Sequence, residues 1–265
     1  MNGSFPRKRA IMKTVLILGG TTEARQLAAK LAARGDLDLT LSMAGRTENP
    51  VEQPVPVRTG GFGGAVGLAD WLVEHGTDLL IDATHPYAAR ISANAAEAAR
   101  ISGVPILALR RPGWERVDGD RWTLVEDGEQ AVAALGETPR RVFLALGRQE
   151  VAAFETASQH AYVIRSVDPI EPPLGVPDAT YILARGPFAE TDERALLEAQ
   201  RIDVIVAKNS GGQATYGKIA AARQLGIEVI LFRRPPLPEV PSAPSVSAMA
   251  EMVDHFATPA EKRGV

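Results

Sequence analysis

The sequence predicts an α/β protein made of two doubly wound, Rossmann-like domains with mainly parallel sheets and a cofactor cleft between them. Short apolar runs are too continuous for half-exposed strands, and they alternate with stretches whose apolar residues recur at helical spacing. The intervening helices, about ten to sixteen residues long, are typical of parallel crossovers. This scheme occurs twice, and a chain of 265 residues has room for about two domains.

The first domain is organised around residues 13–28, where an apolar strand ends at Gly19 and Gly20 and an amphipathic helix follows at once. Free backbone N–H groups and the positive end of the helix dipole favour phosphate at such a turn. The Rossmann pattern G-x-G-x-x-G would require glycine in place of Thr21. The turn alone therefore fits a nucleotide site and an ordinary dihedral requirement about equally well.

The rest of the first domain follows in the same alternation. Further strands are expected at 37–42, 55–58, 79–82 and 105–109. One helix is expected around Trp71, and a second is expected to begin at Pro86 and to end at Gly103. We expect this domain to span 12–111, with the charged stretch 110–121 as the link to the next domain.

The second domain, expected over 112–257, repeats the pattern. Its strands are expected at 123–125, 142–146, 162–165, 181–184, 204–207 and 229–232, and its helices near 128–135, 148–157, 190–200 and 214–225. Residues 235–244 contain five prolines and predict an extended tether, after which a short helix is expected at 248–256.

Composition excludes several classes of function. With 29 Lys and Arg against 32 Asp and Glu, the chain has no basic field for nucleic acid. It has no cysteine, which excludes disulfides, thiolate zinc sites and iron–sulfur clusters, and four scattered histidines predict no metal site. No long apolar segment follows the basic residues at 7–9, so we expect neither a signal peptide nor contact with a membrane. We expect Met12 to be the natural start after an extension, and a cytoplasmic location.

Ligands of open α/β sheets lie beyond the carboxyl ends of the strands, so the residues that follow each strand are candidates. Ser42 and Arg46 follow the second strand, where an NAD enzyme usually carries an acidic residue for the ribose. An arginine there can instead bind a 2′-phosphate, which favours NADPH, although a solvated loop arginine is the alternative. Thr84, His85 and Tyr87 follow the fourth strand, where a threonine commonly caps a helix and a donor to substrate could also be placed.

In the second domain, the string Lys208-Asn209-Ser210-Gly211-Gly212 follows a strand directly and precedes a helix. Its density of donors suits an anion, but it is not a P-loop because the lysine precedes the glycines. Arginines also stand at or just after strand ends of this domain, namely Arg148, Arg165 and Arg185. One such arginine is usually a surface residue, whereas several at one sheet edge predict a basic pocket for a polyanionic substrate.

Eight strings of the sequence together resemble the precorrin-6A reductases of cobalamin biosynthesis. They are GGTTEAR at 19–25, SMAGRT at 42–47, GGFGG at 60–64, DATHPYAARISANAAEAA at 82–99, LALRRPGW at 107–114, LGRQE at 146–150, ARGPF at 184–188 and VAKNSGGQATYGKIAAARQLGIEVILFRRP at 206–235. The combination of DATHPYA and KNSGG is specific, whereas GGTTEAR alone is a weak signal.

The resemblance implies an NADPH-dependent reductase that transfers hydride to precorrin-6A, a polycarboxylate tetrapyrrole, and yields precorrin-6B. It implies that Gly19, Gly20, Thr21 and Thr22 bind the pyrophosphate and that Ser42 and Arg46 bind the 2′-phosphate. By the same resemblance, Thr84, Asn209, Ser210, Gly211 and Gly212 contact the cofactor. The carboxylates of such a substrate fit the basic sheet edge described above, where Arg148, Arg165 and Arg185 are expected to bind them. His85, Tyr87 and Lys208 are candidate proton donors, with the qualification that the substrate's carboxyls or water could also deliver the proton.

Three alternatives stay open at this point. The chain could be another NADP-linked dehydrogenase that acts on a polycarboxylate. The substrate could be the cobalt-containing macrocycle of the oxygen-independent pathway, which no residue of the sequence separates from the cobalt-free one. The chain could also be a non-catalytic NADP-binding sensor, although the donors at 84–87 and the basic residues favour an enzyme. Its partners are then the small-molecule substrate and, by handover of product, neighbouring enzymes of the pathway.

Overall fold

The computed structural model describes residues 12–45 and 51–258. Over these residues the chain forms two parallel sheets covered by helices. The strands are β1 Lys13–Leu18, β2 Leu37–Met43, β3 Val57–Thr59, β4 Leu79–Asp82, β5 Ile106–Leu109, β6 Trp122–Val125, β7 Arg141–Ala145, β8 Ala161–Ser166, β9 Ala179–Leu183, β10 Val204–Lys208, β11 Glu228–Phe232 and β12 Ser242–Ala243. The helices are α1 Thr22–Ala32, α2 Ala65–Glu74, α3 Ala89–Ser102, α4 Gly128–Leu135, α5 Arg148–Val151, α6 Glu190–Ala199, α7 Gly217–Leu225 and α8 Val246–Ala257.

Each sheet has six strands, and every pairing is parallel. The first has the order β12-β5-β4-β1-β2-β3, and the second has the order β6-β11-β10-β7-β8-β9. The first sheet has the Rossmann order 3-2-1-4-5-6, with β12 as its sixth strand. The second repeats that order from β7 onward, with β6 as its sixth strand. The predicted doubly wound α/β fold is therefore confirmed for both sheets.

The chain divides into two units. Of the described residues, unit 1 contains those up to Arg111 together with 236–258, and unit 2 contains Pro112–Pro235. We expected 236–257 to belong with the second domain, but β12 pairs with β5 and α8 packs on α1, so this segment completes unit 1. The proline-rich stretch predicts an extended chain without indicating which sheet it joins.

The core of unit 1 shows why its central strand is apolar on both faces. Val15 and Ile17 of β1 pack with buried residues of α1 and α8, whereas Leu16 and Leu18 pack with those of α2 and α3. Side chains alternate between the two faces of a strand, so a strand covered on both sides must be apolar throughout.

The core of unit 2 follows the same rule. Phe143, Ile205 and Leu231 of three adjacent strands pack against Leu197 of α6 and Ile219 of α7, and all five are buried. Apolar side chains of this size stabilise a fold by about 1.5–3 kcal/mol each when they are fully buried.

Three helices differ from the sequence prediction, two in where they begin and one in its length. Pro86 and Tyr87 form a turn, and α3 begins at Ala89. The helix expected over 148–157 is the single turn α5 followed by a 3₁₀ turn at Ala152–Ala157, and the helix expected from 214 begins at Gly217 after another 3₁₀ turn. Apolar spacing sets the face of a helix but leaves its first turn undetermined.

Candidate active site

The strand orders place one ligand crevice in each unit by the rule for open α/β sheets. Ligands lie where the strand order reverses, beyond the carboxyl ends of the two central strands. In unit 1 these strands are β1 and β4, and in unit 2 they are β7 and β10. The first pair is followed by Gly19–Thr22 and by Thr84–Tyr87, and the second by residues 146–148 and by 209–212. Most predicted site residues therefore follow a central strand.

The turn between β1 and α1 has the features that an anion site requires. Gly19 donates its N–H to Ser42 O at 2.9 Å, and Gly20 has a φ of +104°, a conformation that favours glycine. A Cβ at Gly20 would point into open space, so a ligand can approach the backbone there. The first N–H groups of α1 have no acceptor within the helix. Apart from the Ala24 N–H, which Thr21 caps, they are available to an anion together with the positive end of the helix dipole.

Thr21 connects this turn to the end of β4. It is the N-cap of α1, and its Oγ1 accepts a hydrogen bond from Ala24 N at 3.0 Å while it donates to Ala83 O at 2.9 Å. A capping threonine typically stabilises a helix by about 1 kcal/mol. Here it also fixes the distance between the two central strand ends.

Asp82, which the sequence analysis did not single out, organises the end of β4. Its carboxylate is fully buried, accepts from Thr84 Oγ1 at 2.6 Å and Thr84 N at 3.1 Å, and pairs with Arg110 Nη2 at 2.6 Å. Burial alone would raise the pKa of Asp82, but the charge of Arg110 and the hydrogen bonds together hold that pKa below its ordinary value. An acid that ends an apolar strand is the sequence signal for this role.

Thr84 therefore does not cap α3, as its sequence position suggested. Its hydroxyl hydrogen points to Asp82, and Ser92 Oγ of α3 lies 3.3 Å from the same Oγ1. The buried network fixes Thr84 at the mouth of the crevice, in a shallow recess that it lines with Thr21, Glu23 and Arg111.

Arg111 and Glu23 form a second ion pair in this recess, with a separation of 2.6 Å. Burial lowers the pKa of Arg111, and the neighbouring Glu23 carboxylate opposes that shift. Glu23 stands in the first turn of α1. A carboxylate there stabilises the helix dipole, and its pairing with Arg111 places a cation beside the glycine turn.

His85 and Tyr87 stand together, half-buried, after β4. Their rings are 5.7 Å apart between centroids, and the Tyr87 N–H donates to His85 Nδ1 at 3.3 Å. Because Nδ1 accepts this bond, the neutral imidazole carries its hydrogen on Nε2. The predicted pair of donors is thus brought to one place.

Ser42 is buried at the end of β2, and Arg46 lies outside the described residues. The nearest charged group on the adjacent strand is Arg58, whose Nη1 lies 3.4 Å from Ser42 Oγ. Sequence reasoning missed Arg58 because strand pairing, and not sequence distance, brings it to Ser42.

In unit 2, the donor string at 208–212 is fixed by contacts with other residues of the same unit. Asn209 Oδ1 accepts from Trp114 N at 2.7 Å, and Asn209 Nδ2 donates to Trp114 O at 2.9 Å. Gly211 has a φ of +71°, and a Cβ there would lie 1.9 Å from Pro112 O, so only glycine fits. Ser210 Oγ lies 3.1 Å from Thr215 Oγ1. Much of this string has a structural role.

Lys208, the last residue of β10, forms an ion pair with Glu150 of α5, the helix that follows β7. Glu150, another residue that the sequence analysis did not assign, also lies against Gly147, whose Cβ would be 2.6 Å from Glu150 Oε2. A carboxylate in this position keeps the Lys208 ammonium at the sheet edge. Gly212 follows and begins the 3₁₀ turn before α7.

The three arginines predicted to meet substrate differ in their surroundings. Arg165 is buried, pairs through both Nη atoms with Glu193 and stacks 3.7 Å from the Phe188 ring centroid. Its charge is compensated inside the unit, which corrects the expectation of a free basic group. Arg148 begins α5 and donates to Glu171 O, and Arg185 follows β9 at the same carboxyl edge of the sheet.

The described part of the chain was compared with the requirements of a metal site and of a membrane span. Within residues 12–45 and 51–258, no group of three or more His, Cys, Asp or Glu side chains could hold a metal ion. In those same ranges, no helix is both long and apolar enough to cross a membrane.

The chain is similar to known proteins over nearly its whole length. The family model described as precorrin-6x reductase CbiJ/CobK matches residues 14–257. A precorrin-6A reductase of a Sinorhizobium species is 59% identical over 261 residues, which cover 98% of this chain and 100% of the relative. A solved structure of CobK precorrin-6A reductase is 48% identical with a TM-score of 0.89 and covers 94% of this chain and 99% of that one.

Relatives named for the cobalt-containing substrate are more distant. The cobalt-precorrin-6A reductase of Priestia megaterium is 28% identical over 235 residues, which cover 83% of this chain and 90% of the relative. The family model and the relative of 59% identity span nearly the whole described chain. On these matches, the chain belongs to the precorrin-6x reductase CbiJ/CobK family.

Proposed function

We propose that this protein reduces precorrin-6A to precorrin-6B in cobalamin biosynthesis, with NADPH as the hydride donor. The observation that carries the proposal is the glycine turn at the reversal point of a Rossmann-ordered sheet, in a chain of this reductase family. The much higher identity to a precorrin-6A reductase than to a cobalt-precorrin-6A reductase supports the cobalt-free substrate.

The residues of unit 1 fit a dinucleotide. Gly20, Thr21 and Thr22 would offer backbone N–H groups to the pyrophosphate, and Gly20 leaves the approach open. Gly19 would contact the pyrophosphate as part of the same turn, since its own N–H is bound to Ser42 O. Ser42 lies buried at the end of β2, where the 2′-phosphate would be recognised. Arg46 is proposed to bind the same phosphate from its position in the sequence. Thr84, fixed by Asp82, would contact the cofactor near its reactive ring.

When bound, NADPH supplies a hydride to one carbon of the conjugated macrocycle, and a proton must be added at the other end of the reduced system. His85, Tyr87 and Lys208 are the candidate donors of this proton. The enzyme's main task is to hold the two reactants together and to exclude water, because the substrate is itself an electron sink.

The substrate's carboxylates would be bound by cations of unit 2. Arg148 and Arg185 stand at the carboxyl edge of its sheet and would serve this role, whereas Arg165 would act indirectly by shaping that edge. Asn209, Ser210, Gly211 and Gly212 would complete the cofactor or substrate contacts from unit 2.

The test mixes the protein with NADPH and precorrin-6A under anaerobic conditions and follows the visible absorbance of the chromophore. We expect the macrocycle spectrum to change with loss of the NADPH absorbance, at equal molar amounts. An unchanged spectrum, with substrate binding demonstrated by ultrafiltration, would contradict the proposal. The cobalt-containing substrate, measured in parallel, should be reduced more slowly.

A further inference from the structure

Arg58 lies beside Ser42 through strand pairing. Ser42 of β2 and Arg58 of β3 are register partners in the parallel ladder, so their side chains stand on the same face at the carboxyl edge of the sheet. This edge lies next to β1, whose turn is the proposed pyrophosphate site. The ribose of a dinucleotide bound there is recognised at the end of β2.

The guanidinium of Arg58 is held in one orientation. It lies over the Phe62 ring at 3.7 Å from the centroid, while Nη1 donates to Gly60 O at 2.6 Å and Nη2 donates to Gly61 O at 2.7 Å. The Phe62 ring in turn packs edge-on against Trp71 of α2, with centroids 5.8 Å apart. This arrangement fixes the cation before any ligand arrives.

The loop after β3 is shaped to make these contacts. Gly60 has a φ of +116°, and its N–H donates to Met43 O at 2.9 Å, which anchors the loop to the end of β2. Gly63 and Gly64 also have positive φ values. The glycines thus turn two carbonyl groups toward Arg58, and the loop at 60–64 acquires a defined role.

The charge of Arg58 is not neutralised within the described residues. Arg110 pairs with Asp82 and Arg111 with Glu23, whereas the recorded partners of Arg58 are two carbonyl oxygens, one hydroxyl oxygen and a ring face. Partial burial lowers the pKa of Arg58, and no carboxylate of residues 12–45 or 51–258 opposes this shift. A half-buried cation that lacks an acidic partner among these residues favours a phosphate over an uncharged ribose hydroxyl.

We propose that Arg58 is a specificity-determining residue that, together with Ser42, binds the 2′-phosphate of NADPH and discriminates against NADH. The inference rests on the proposed function only for the identity of the cofactor. Arg58 would act in addition to Arg46, the cation expected from the sequence, and its guanidinium is held in place on the sheet before the ligand binds. Phe62 is the platform that orients Arg58.

The test uses calorimetric titration of the full chain with two ligands of equal phosphate number, 2′,5′-ADP and 5′-ADP. Only the first carries the 2′-phosphate. We expect Arg58→Gln to weaken binding of 2′,5′-ADP by about 10- to 100-fold, the range for a lost charge-assisted contact, and to change binding of 5′-ADP by less than about 3-fold. Arg58→Lys, which keeps the charge but loses the planar fork, should give an intermediate loss for 2′,5′-ADP.

Arg100→Gln is the matched control, because Arg100 is an exposed arginine of α3 that pairs with Glu97. It should leave both affinities unchanged. The inference would be overturned if Arg58→Gln weakened the binding of both ligands equally, or if it weakened the binding of neither. If Arg58→Gln does not fold, as judged by circular dichroism, Arg58→Lys and Phe62→Leu decide the matter. Both variants should lower the ratio of the affinity for 2′,5′-ADP to the affinity for 5′-ADP. An unchanged ratio in both variants would also overturn the inference.

These titrations separate the inference from the proposed function. A wild-type protein that prefers 2′,5′-ADP through Arg58 but does not reduce precorrin-6A refutes the function and leaves the inference standing. A wild-type protein that reduces precorrin-6A with NADPH, and whose Arg58→Gln variant keeps the full preference, refutes the inference alone.

Discussion

At the scale of single residues, Lys218 is the most unusual titratable group of unit 2. It stands in the first turn of α7 with 4% of its surface exposed, donates to Thr215 O at 2.7 Å and lies 4.9 Å from the Trp114 ring centroid. Burial, assisted by the nearby charge of Arg165 and opposed by that of Glu193, lowers its pKa to about 7. The charged form is therefore disfavoured in the folded protein.

This shift predicts how stability changes with pH. Between pH 7 and the unfolded-state pKa of 10.5, the unfolded lysine binds more protons than the folded one, so its contribution to stability increases as pH rises through this window. We expect the unfolding free energy of wild type, minus that of Lys218→Met, to rise from pH 7 to pH 9 by up to about 1.4 kcal/mol per pH unit. Urea titrations at pH 7, 8 and 9 measure the difference. A flat or falling difference would show that the lysine is charged when folded.

The sequence predicted where the candidate residues lie along the sheet better than it predicted their contacts. Gly19 to Thr22, Thr84, His85 and Tyr87 do follow the central strands, because strand ends can be found from apolar runs. Pairing partners could not be predicted, since Asp82 with Arg110 and Arg165 with Glu193 join residues 28 positions apart in each case. Local spacing contains no information about such contacts.

At the scale of elements, the C-terminal helix α8 is part of the core of unit 1. Met249 and Val253 are fully buried, and both pack in the same cluster as β1 and α1. Lys30 of α1 donates to Ser247 Oγ at 3.3 Å, and Arg34 pairs with Asp254. Packing, more than these exposed polar contacts, should therefore hold α8 in place.

We expect Met249→Ala to lower the unfolding free energy by about 2–5 kcal/mol, because it leaves a cavity between α8 and the sheet. The exposed Glu251 on the same helix provides the control, and Glu251→Ala should stay within about 0.5 kcal/mol of wild type. Chemical denaturation of both variants measures the two changes. Equal, small effects would mean that α8 contributes little to unit 1.

The helix α8 itself was predicted from its apolar spacing, but its place was not. The strand β12 that precedes it pairs through only two residues, Ser242 and Ala243. A two-residue strand after a proline-rich stretch has no periodicity from which pairing could be inferred. The packing of α8 on unit 1 places β12 beside β5 and so determines which sheet β12 completes.

At the scale of the whole molecule, the two sheets have the same strand order, but their sixth strands come from different parts of the chain. In unit 1 that strand comes from the end of the chain, and in unit 2 it precedes the other five. The parallel pairing was predictable from apolar strands separated by helices, whereas the order had to be seen in the structure. The strand order reverses between β1 and β4 in unit 1 and between β7 and β10 in unit 2, which places a candidate ligand crevice in each unit.

The central claim is that this chain transfers hydride from NADPH to the precorrin-6A macrocycle. The most direct measurement incubates the protein anaerobically with precorrin-6A and NADPH that carries deuterium at both C4 positions of the nicotinamide. We predict a reduced macrocycle that has gained one carbon-bound deuterium by mass spectrometry, with the second new hydrogen supplied by solvent. A reduced product without deuterium, or no reduction by a protein that binds both ligands, would contradict the account.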